Sequence, residues 1–131
     1  MIKGEKQNMN QTILMDDQAL EFLKNSEISG IKFDQEKLPM HLFPKDAMDA
    51  VVEILAFGKD KYGAWNWMNG LEWTRLYDAC LRHLLAWNDG ENLDEESKKN
   101  HIAHAACNLV FLLTFIKKEI GTDDRRKSNK G

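Results

Sequence analysis

The sequence lacks the features that mark several large classes of protein. Its only two cysteines, Cys80 and Cys107, lie in apolar helical contexts without metal-ligand spacing, which argues against a disulfide framework or a structural zinc site. The N-terminus lacks the apolar core of a signal peptide, and the longest apolar run, residues 102–116, is too short and too polar to span a bilayer. The net charge of −3 argues against a nucleic-acid or anionic-membrane surface. We therefore expect a soluble, cytoplasmic protein that binds neither nucleic acid nor membrane.

Strand patterns and familiar catalytic motifs are also scarce. The chain has no internal repeat, and alternating apolar and polar residues are nearly absent. It has no Walker A loop, Rossmann glycine fingerprint, nucleophile elbow or HExxH motif, and the His-Asp doublet of HD-type phosphohydrolases is missing. Any chemistry must therefore come from another set of residues.

Prolines, glycines and apolar spacing divide the chain into helices. A short helix is expected at 16–24 with Asp16 as its cap, followed by an extended segment over 31–43. The three main helices are predicted at about 44–63, 73–87 and 98–120. The sequence thus predicts an all-α fold, a helical bundle of three main helices with an extended N-terminal arm.

Apolar surface and terminal composition suggest how this fold is organised. Four tryptophans and an aromatic loop at 63–70 exceed what a monomer of this size is expected to bury, so we expect oligomerisation to complete the bundle. Residues 1–30 are interpreted as a partly mobile extension, 31–124 as the domain and 125–131 as a disordered basic tail.

A polar stripe on the last helix is the most informative feature. His101, His104 and Asn108 fall at i, i+3 and i+7 on a helix that is otherwise apolar, so they share one face. A buried polar group without a partner costs about 1–3 kcal/mol, so these side chains require partners. Either they form a hydrogen-bonded structural stripe or they help to hold a cation.

An acidic connector precedes this stripe and supplies candidate ligands. Glu91, Asp94, Glu95 and Glu96 lie just upstream, and mixed carboxylate, imidazole and amide ligands suit Mg²⁺ or Mn²⁺ more than structural Zn²⁺. The alternative is a solvated loop in which Asp94 or Ser97 caps the next helix.

Two further groups of residues suggest phosphate and base recognition. Arg75, Asp78 and Arg82 share a face of the second main helix, which suits a phosphate chain with its metal or, alternatively, a salt-bridged surface. His83 lies on the opposite, apolar stripe and is interpreted as a hydrogen-bonded core residue. The segment 57–67 offers two lysines, aromatic faces and an amide, the components of a purine pocket, although packed tryptophans would give the same pattern.

Taken in order, these segments resemble a known family, the small phage MazG-like (MazZ-type) dATP/dGTP diphosphohydrolases. The resemblance covers residues 32–124. The motifs that carry it are Lys-Phe-Asp (32–34), the helix start at Pro44, Phe-Gly-Lys-Asp-Lys-Tyr-Gly (57–63), Asn66-Trp67, Arg-Leu-Tyr-Asp-Ala-Cys-Leu-Arg-His-Leu-Leu-Ala-Trp (75–87), Gly-Glu-Asn-Leu-Asp-Glu-Glu-Ser (90–97), His-Ile-Ala-His-Ala-Ala-Cys-Asn (101–108) and Gly-Thr-Asp-Asp (121–124).

The resemblance implies a MazG/HisE-like helical enzyme, a dimer or tetramer, that uses two or three Mg²⁺ or Mn²⁺ ions. It implies hydrolysis of dGTP or dATP to the monophosphate and pyrophosphate. The wider MazG pattern carries Glu-Glu-x-x-Glu and Glu-x-x-Asp on two helices. Neither motif is present in that form on the predicted main helices, so other residues must replace them. The predicted metal ligands are Asp78, Glu91, Asp94, Glu96, His101, His104 and Asn108.

The remaining roles complete this expectation. Glu96 and Asp78 are the predicted catalytic carboxylates, with Glu96 as general base. The predicted phosphate contacts are Lys59, Lys61, Arg75 and Arg82, and the predicted base contacts are Tyr62, Asn66 and Trp67. Asp123 and Asp124 either close the site or belong to a frayed tail.

Other functions stay open at this point. A housecleaning hydrolase for non-canonical nucleotides would use the same residues. A non-catalytic helical assembly module would use the polar stripes only to fix helix register. A di-metal helical oxidase is disfavoured because the main helices carry no Glu-x-x-His repeats.

Overall fold

The computed structural model describes residues 16–20 and 30–127. Contacts divide the chain into two units, Met1–Met40 and His41–Gly131. In the first unit, residues 17–20 form a helical turn whose Ala19 amide donates to Asp16 Oδ1 at 2.7 Å, which confirms Asp16 as a cap. The remainder of the predicted extension, including 21–24 of the predicted short helix, lies outside the described residues. Residues 30–39 contain only a turn, and a 3-10 turn follows at Met40–Leu42.

The first main helix, α1, spans Lys45–Tyr62, as predicted. Pro44 precedes it in an extended conformation, and its missing N–H is one that a helix start leaves unpaired anyway. The helix ends at Gly63, whose φ of 93° suits glycine. Ile54 is buried on its inner face, with Val51 and Leu55 packed beside it.

The second main helix, α2, spans Trp73–Asn88 and buries Leu76 and Cys80. Its first turn is held by a segment about 50 residues away in sequence. Asp124 accepts hydrogen bonds from the Thr74 amide at 2.9 Å and from the Thr74 hydroxyl at 2.6 Å. Asp124 therefore caps the start of α2. This contact corresponds to neither of the two roles predicted for Asp124, closing the site or belonging to a frayed tail.

The third main helix, α3, spans His101–Lys118, a shorter range than the predicted 98–120. The prediction that Asp94 or Ser97 caps this helix is wrong. The cap is Asn100, whose side-chain oxygen accepts from the amides of Ile102 and Ala103, and Lys98 before it adopts a φ of 62° that a helix excludes.

The core of the second unit lies along α3, which packs against both other helices. Ile54 of α1 meets Ala103 and Cys107 of α3, and Phe115, about two turns after Cys107, is fully buried. Within residues 30–127 the structure contains no strand beyond two isolated bridges, so the all-α prediction is confirmed. None of the described helices combines the length and the apolar character that crossing a membrane would need.

Candidate active site

Three histidines meet where α2 packs on α3. The rings of His83 and His104 stack at 4.4 Å between centroids, nearly parallel, and His83 Nδ1 lies 2.8 Å from His101 Nδ1. His101 and His104 are one turn apart on α3, so both face the same side chain of α2. His101 is only 4% exposed. A neutral imidazole has one donor and one acceptor nitrogen, so the two Nδ1 atoms share a single proton.

The connector between α2 and α3 brings Asp94 and Ser97 to this cluster. Asp94 Oδ2 accepts from the Ser97 amide at 2.8 Å, and Ser97 Oγ lies 2.6 Å from His104 Nε2. Since Ser97 Oγ also accepts the Lys99 amide at 3.1 Å, its hydroxyl hydrogen is free to be donated to His104 Nε2. Ser97 is buried, and this bond fixes the orientation of the His104 ring.

Asp94, His83 and His101 have the arrangement of cation ligands. One ligand atom from each of the three lies within 4.8 Å of the others. His101 Nε2 is buried without a hydrogen bond, although Glu91 Oε2 approaches it to 3.2 Å. The contact is close enough for a hydrogen bond but is not aligned for one. Buried imidazoles beside carboxylates form a donor set that fits a divalent cation.

Local electrostatics keeps His83, His104 and Asp94 in the forms that bind a cation. Burial, reinforced by the neighbouring histidines, lowers the pKa of His83, and burial lowers the pKa of His104. Burial opposes ionisation of Asp94, but hydrogen bonds from Ser97 outweigh it and lower the pKa of that carboxyl. At neutral pH, His83 and His104 are therefore neutral and Asp94 is ionised.

A cavity of about 950 Å³ opens beside the cluster. The end of α1, the 63–71 loop, α2 and α3 form its walls. Its polar wall includes His83, Asp94, Glu96, His104 and Asn108. Its aromatic wall includes Tyr62, Trp65, Asn66 and Trp67. Polar and aromatic groups predicted separately from the sequence thus line one cavity.

Packing against α3 holds Trp67, one side chain of the aromatic wall, in place. Trp67 stacks on Phe111 of α3 with 4.3 Å between ring centroids and an angle of 18°, so one of its faces is covered. Trp65 next to it is 70% exposed and was not among the predicted base contacts. Asn66 and Tyr62 both line the cavity, as a base pocket requires.

The predicted basic residues divide into two groups. Lys59, Lys61 and Arg75 line the cavity, and Lys61 Nζ pairs with Glu96 Oε2. That hydrogen bond from Lys61 to Glu96, the largest cause, raises the pKa of the lysine. Lys61 is thus held beside the predicted general base.

Asp78 and Arg82 do not join the others. Both are exposed on α2, and neither is among the residues that line the cavity. The face of α2 that meets α3 carries Leu76, Cys80 and His83, and Asp78 points away from it because a helix turns 100° per residue. The predicted basic pair around one carboxylate is therefore not assembled at the cavity.

Sequence reasoning missed the part played by two residues. His83 was interpreted as a hydrogen-bonded core residue, and it does make such a bond, but it also stands at the centre of the histidine cluster. Its place on the inner face of α2, opposite the stripe on α3, was the available signal. Ser97 was considered only as a helix cap, whereas its hydroxyl contacts His104.

Comparisons with known proteins identify the family of this chain. Residues 27–125 match the family described as dATP/dGTP diphosphohydrolase, N-terminal. The chain belongs to this family. It is also 41% identical over 101 residues to a dATP/dGTP diphosphohydrolase of Salmonella phage PMBT28, an alignment that covers 77% of this chain and 34% of that protein. The chain therefore spans about a third of the length of that relative. No solved structure matches.

The matched region contains every residue of the histidine cluster and of the cavity. The resemblance to phage dATP/dGTP diphosphohydrolases is confirmed by the family match and by this relative.

Proposed function

We propose that this chain hydrolyses purine deoxynucleoside triphosphates, dGTP or dATP, between the α and β phosphates to give the monophosphate and pyrophosphate. The observation that carries the proposal is one cavity lined both by imidazole and carboxylate groups and by aromatic and amide groups. The 41% identical relative, named a dATP/dGTP diphosphohydrolase, supports the same activity.

The reaction we propose depends on Mg²⁺ or Mn²⁺, with two or three ions per site. The residues present fit such ions, since two imidazoles and an ionised carboxylate converge and Nε2 of His101 is buried without a hydrogen bond. His83, Asp94 and His101 would hold one ion, and Glu91, Glu96, His104 and Asn108 remain predicted ligands or neighbours. A bound cation would neutralise phosphate charge and lower the pKa of the attacking water.

Glu96 is our proposed general base. It lines the cavity on the polar wall, and its partner there is Lys61. A triphosphate entering the cavity offers Lys61 a stronger partner, which would free the Glu96 carboxylate to orient a water for attack on the α phosphate. Lys59 and Arg75 would contact the remaining phosphate oxygens.

The base would lie on the aromatic wall. Tyr62 and Trp67 offer flat apolar surfaces, and Asn66 offers both a donor and an acceptor to a purine edge. Because Phe111 covers one face of Trp67, its position is fixed before the base arrives.

Metal binding by Asp78 and phosphate binding by Arg82 stay predictions, because neither side chain lines the cavity. A metal-binding or phosphate-binding role for either would require a group outside the cavity described above. We therefore expect Asp78→Asn to reduce turnover less than substitution of His101, and this comparison tests the predicted catalytic role of Asp78.

We also propose a homo-oligomer, a dimer or tetramer. Exposed apolar side chains run along α2 and α3, among them Tyr77, Leu81, Leu109, Leu113 and Ile116. Exposed apolar surface of this extent commonly marks a protein interface. The same surface is what favours the alternative of a non-catalytic assembly module.

In a phage-infected cell this reaction would belong to the host cytoplasm. It would either supply dGMP to a nucleotide pathway or remove dATP from the pool, and a housecleaning role against non-canonical nucleotides would use the same chemistry. Supply of dGMP and removal of dATP both consume a purine triphosphate and release pyrophosphate.

The test is phosphorus NMR of the purified protein with Mn²⁺ or Mg²⁺ and each deoxynucleoside triphosphate in turn. We expect the monophosphate and pyrophosphate from dGTP or dATP. Release of orthophosphate would place the protein in another hydrolase class. No turnover with either metal would favour the assembly module.

A further inference from the structure

The two closest imidazole nitrogens of the cluster have the spacing of neighbouring metal ligands. His83 Nδ1 and His101 Nδ1 are 2.8 Å apart. Two nitrogens bound at right angles to one ion, with bonds of about 2.1 Å, would be about 3 Å apart. The separation therefore fits one shared ion about as well as one shared proton.

Two carboxylates lie close to these imidazole rings. An oxygen of Asp94 and one ring nitrogen of each histidine all lie within 4.8 Å of one another. Glu91 Oε2 lies 3.2 Å from Nε2 of His101, the nitrogen on the far side of the ring from Nδ1. A metal-bound histidine usually donates its other N–H to a carboxylate. Glu91 lies within reach of His101 Nε2 for this role, although the two groups are not aligned for a hydrogen bond here.

We propose that His83, Asp94 and His101 bind one first-row transition-metal ion, such as Mn²⁺ or Co²⁺, in preference to Mg²⁺ and before any nucleotide arrives. Imidazole nitrogen suits transition metals, whereas Mg²⁺ prefers oxygen ligands and gives up its waters reluctantly. Two imidazoles and one carboxylate therefore select against Mg²⁺. Glu91 is a positioning residue in this proposal, and His83 becomes a ligand.

This inference deepens the metal dependence in the proposed function, but its test needs no turnover. The protein is freed of metal with a chelator and titrated by calorimetry with Mg²⁺, Mn²⁺ and Co²⁺ separately, without nucleotide. We expect one equivalent of Mn²⁺ or Co²⁺ to bind at least about tenfold more tightly than Mg²⁺. Pulsed electron paramagnetic resonance of the bound Mn²⁺ should show coupling to imidazole nitrogen.

Variants assign the ligands. His83→Ala and Asp94→Asn should each weaken Co²⁺ binding by about 10–100-fold, with helicity checked by circular dichroism. His41→Ala is the matched control, because His41 is exposed and lies outside the cavity, and it should leave Co²⁺ affinity unchanged.

Three results would overturn the proposal. They are Mg²⁺ binding as tightly as Co²⁺, a folded His83→Ala protein with wild-type Co²⁺ affinity, or bound Mn²⁺ without nitrogen coupling. The spectroscopic test uses the wild-type protein, so it can overturn the proposal even if a variant fails to fold. Metal bound with nitrogen coupling but no nucleotide hydrolysis would remove the proposed function alone, and hydrolysis without such coupling would remove this inference alone.

Discussion

The two sides of α3 invert the usual distribution of residues. Near its start, His101 is 4% exposed, while Leu113 three turns later is 57% exposed. Polar groups are usually placed outside and large apolar groups inside because burial favours apolar surface. Each side of the helix thus departs from this distribution in its own way. We interpret the histidine side as fitted to a cation and the leucine side as fitted to a second copy.

The spacing of the exposed side supports this interpretation. Ile102, Leu109, Leu113 and Ile116 repeat at intervals of seven, four and three, which is the spacing of a helix-packing seam. No Asp, Glu, Lys or Arg lies between residues 101 and 116. Such a seam is typical of packing between helices of separate chains.

The largest expected effect is on the histidine side. His101→Ala should lower turnover of the preferred purine triphosphate by more than about 100-fold, because it removes a buried ligand nitrogen. Steady-state kinetics with Mn²⁺ measures this. His41→Ala should match the wild type, and comparable loss in both variants would show that the effect is not specific to the cluster.

A smaller effect on the same side is expected from Ser97. Ser97→Ala removes the hydroxyl that holds His104 Nε2 and should reduce metal affinity or turnover by about 10–100-fold. Ser97→Thr keeps the hydroxyl and should recover most of the loss. Equal loss in both variants would mean that packing at this position matters and the hydrogen bond does not.

A charged substitution on the apolar side of α3 tests whether that side is an interface between copies. Leu113→Glu should shift the protein to smaller species in analytical ultracentrifugation, because a carboxylate placed in an apolar interface loses its hydration. Val52→Glu makes the same change at an exposed apolar position of α1 and should leave the assembly intact. If both variants or neither dissociate, the seam on α3 is not the interface.

The smallest effect concerns the Asp124 cap, which is remote from both sides of α3. Its hydrogen bonds with Thr74 lower the pKa of the Asp124 carboxyl, so their contribution to stability is present above the ordinary aspartate pKa and is lost as the pH falls through the lowered value. Asp124→Asn should lower the melting temperature at neutral pH, and the difference from wild type should shrink in acid. Asp60→Asn, at an exposed residue that caps no helix, should show neither effect.

Local signals predicted the helices well. Pro44, Gly63 and Asn88-Asp89-Gly90 are strong breakers, so the bounds of α1 and α2 follow from the chain near each end. The start of α3 does not follow from the nearby chain in this way. Several residues between 94 and 100 are good caps, and only the left-handed turn at Lys98 selects Asn100. Asp124 capping α2 is a contact across 50 residues that no local pattern contains.

The site was predicted in part for the same reason. The stripe of His101, His104 and Asn108 follows from periodicity along one helix, and Asn108 does line the cavity. The inclusion of His83 and the outward position of Asp78 depend on how α2 is rotated against α3. Sequence spacing fixes which residues share a face of a helix but not which face meets the neighbouring helix.

The most direct test of the central claim is anomalous diffraction from crystals grown with Mn²⁺ and a dGTP analogue whose α–β bridging oxygen is replaced by methylene. We predict a manganese peak bonded to His83, Asp94 and His101, with the α phosphate beside it and the base against Trp67. Manganese bound elsewhere, with the three side chains still hydrogen-bonded only to protein, would contradict the account.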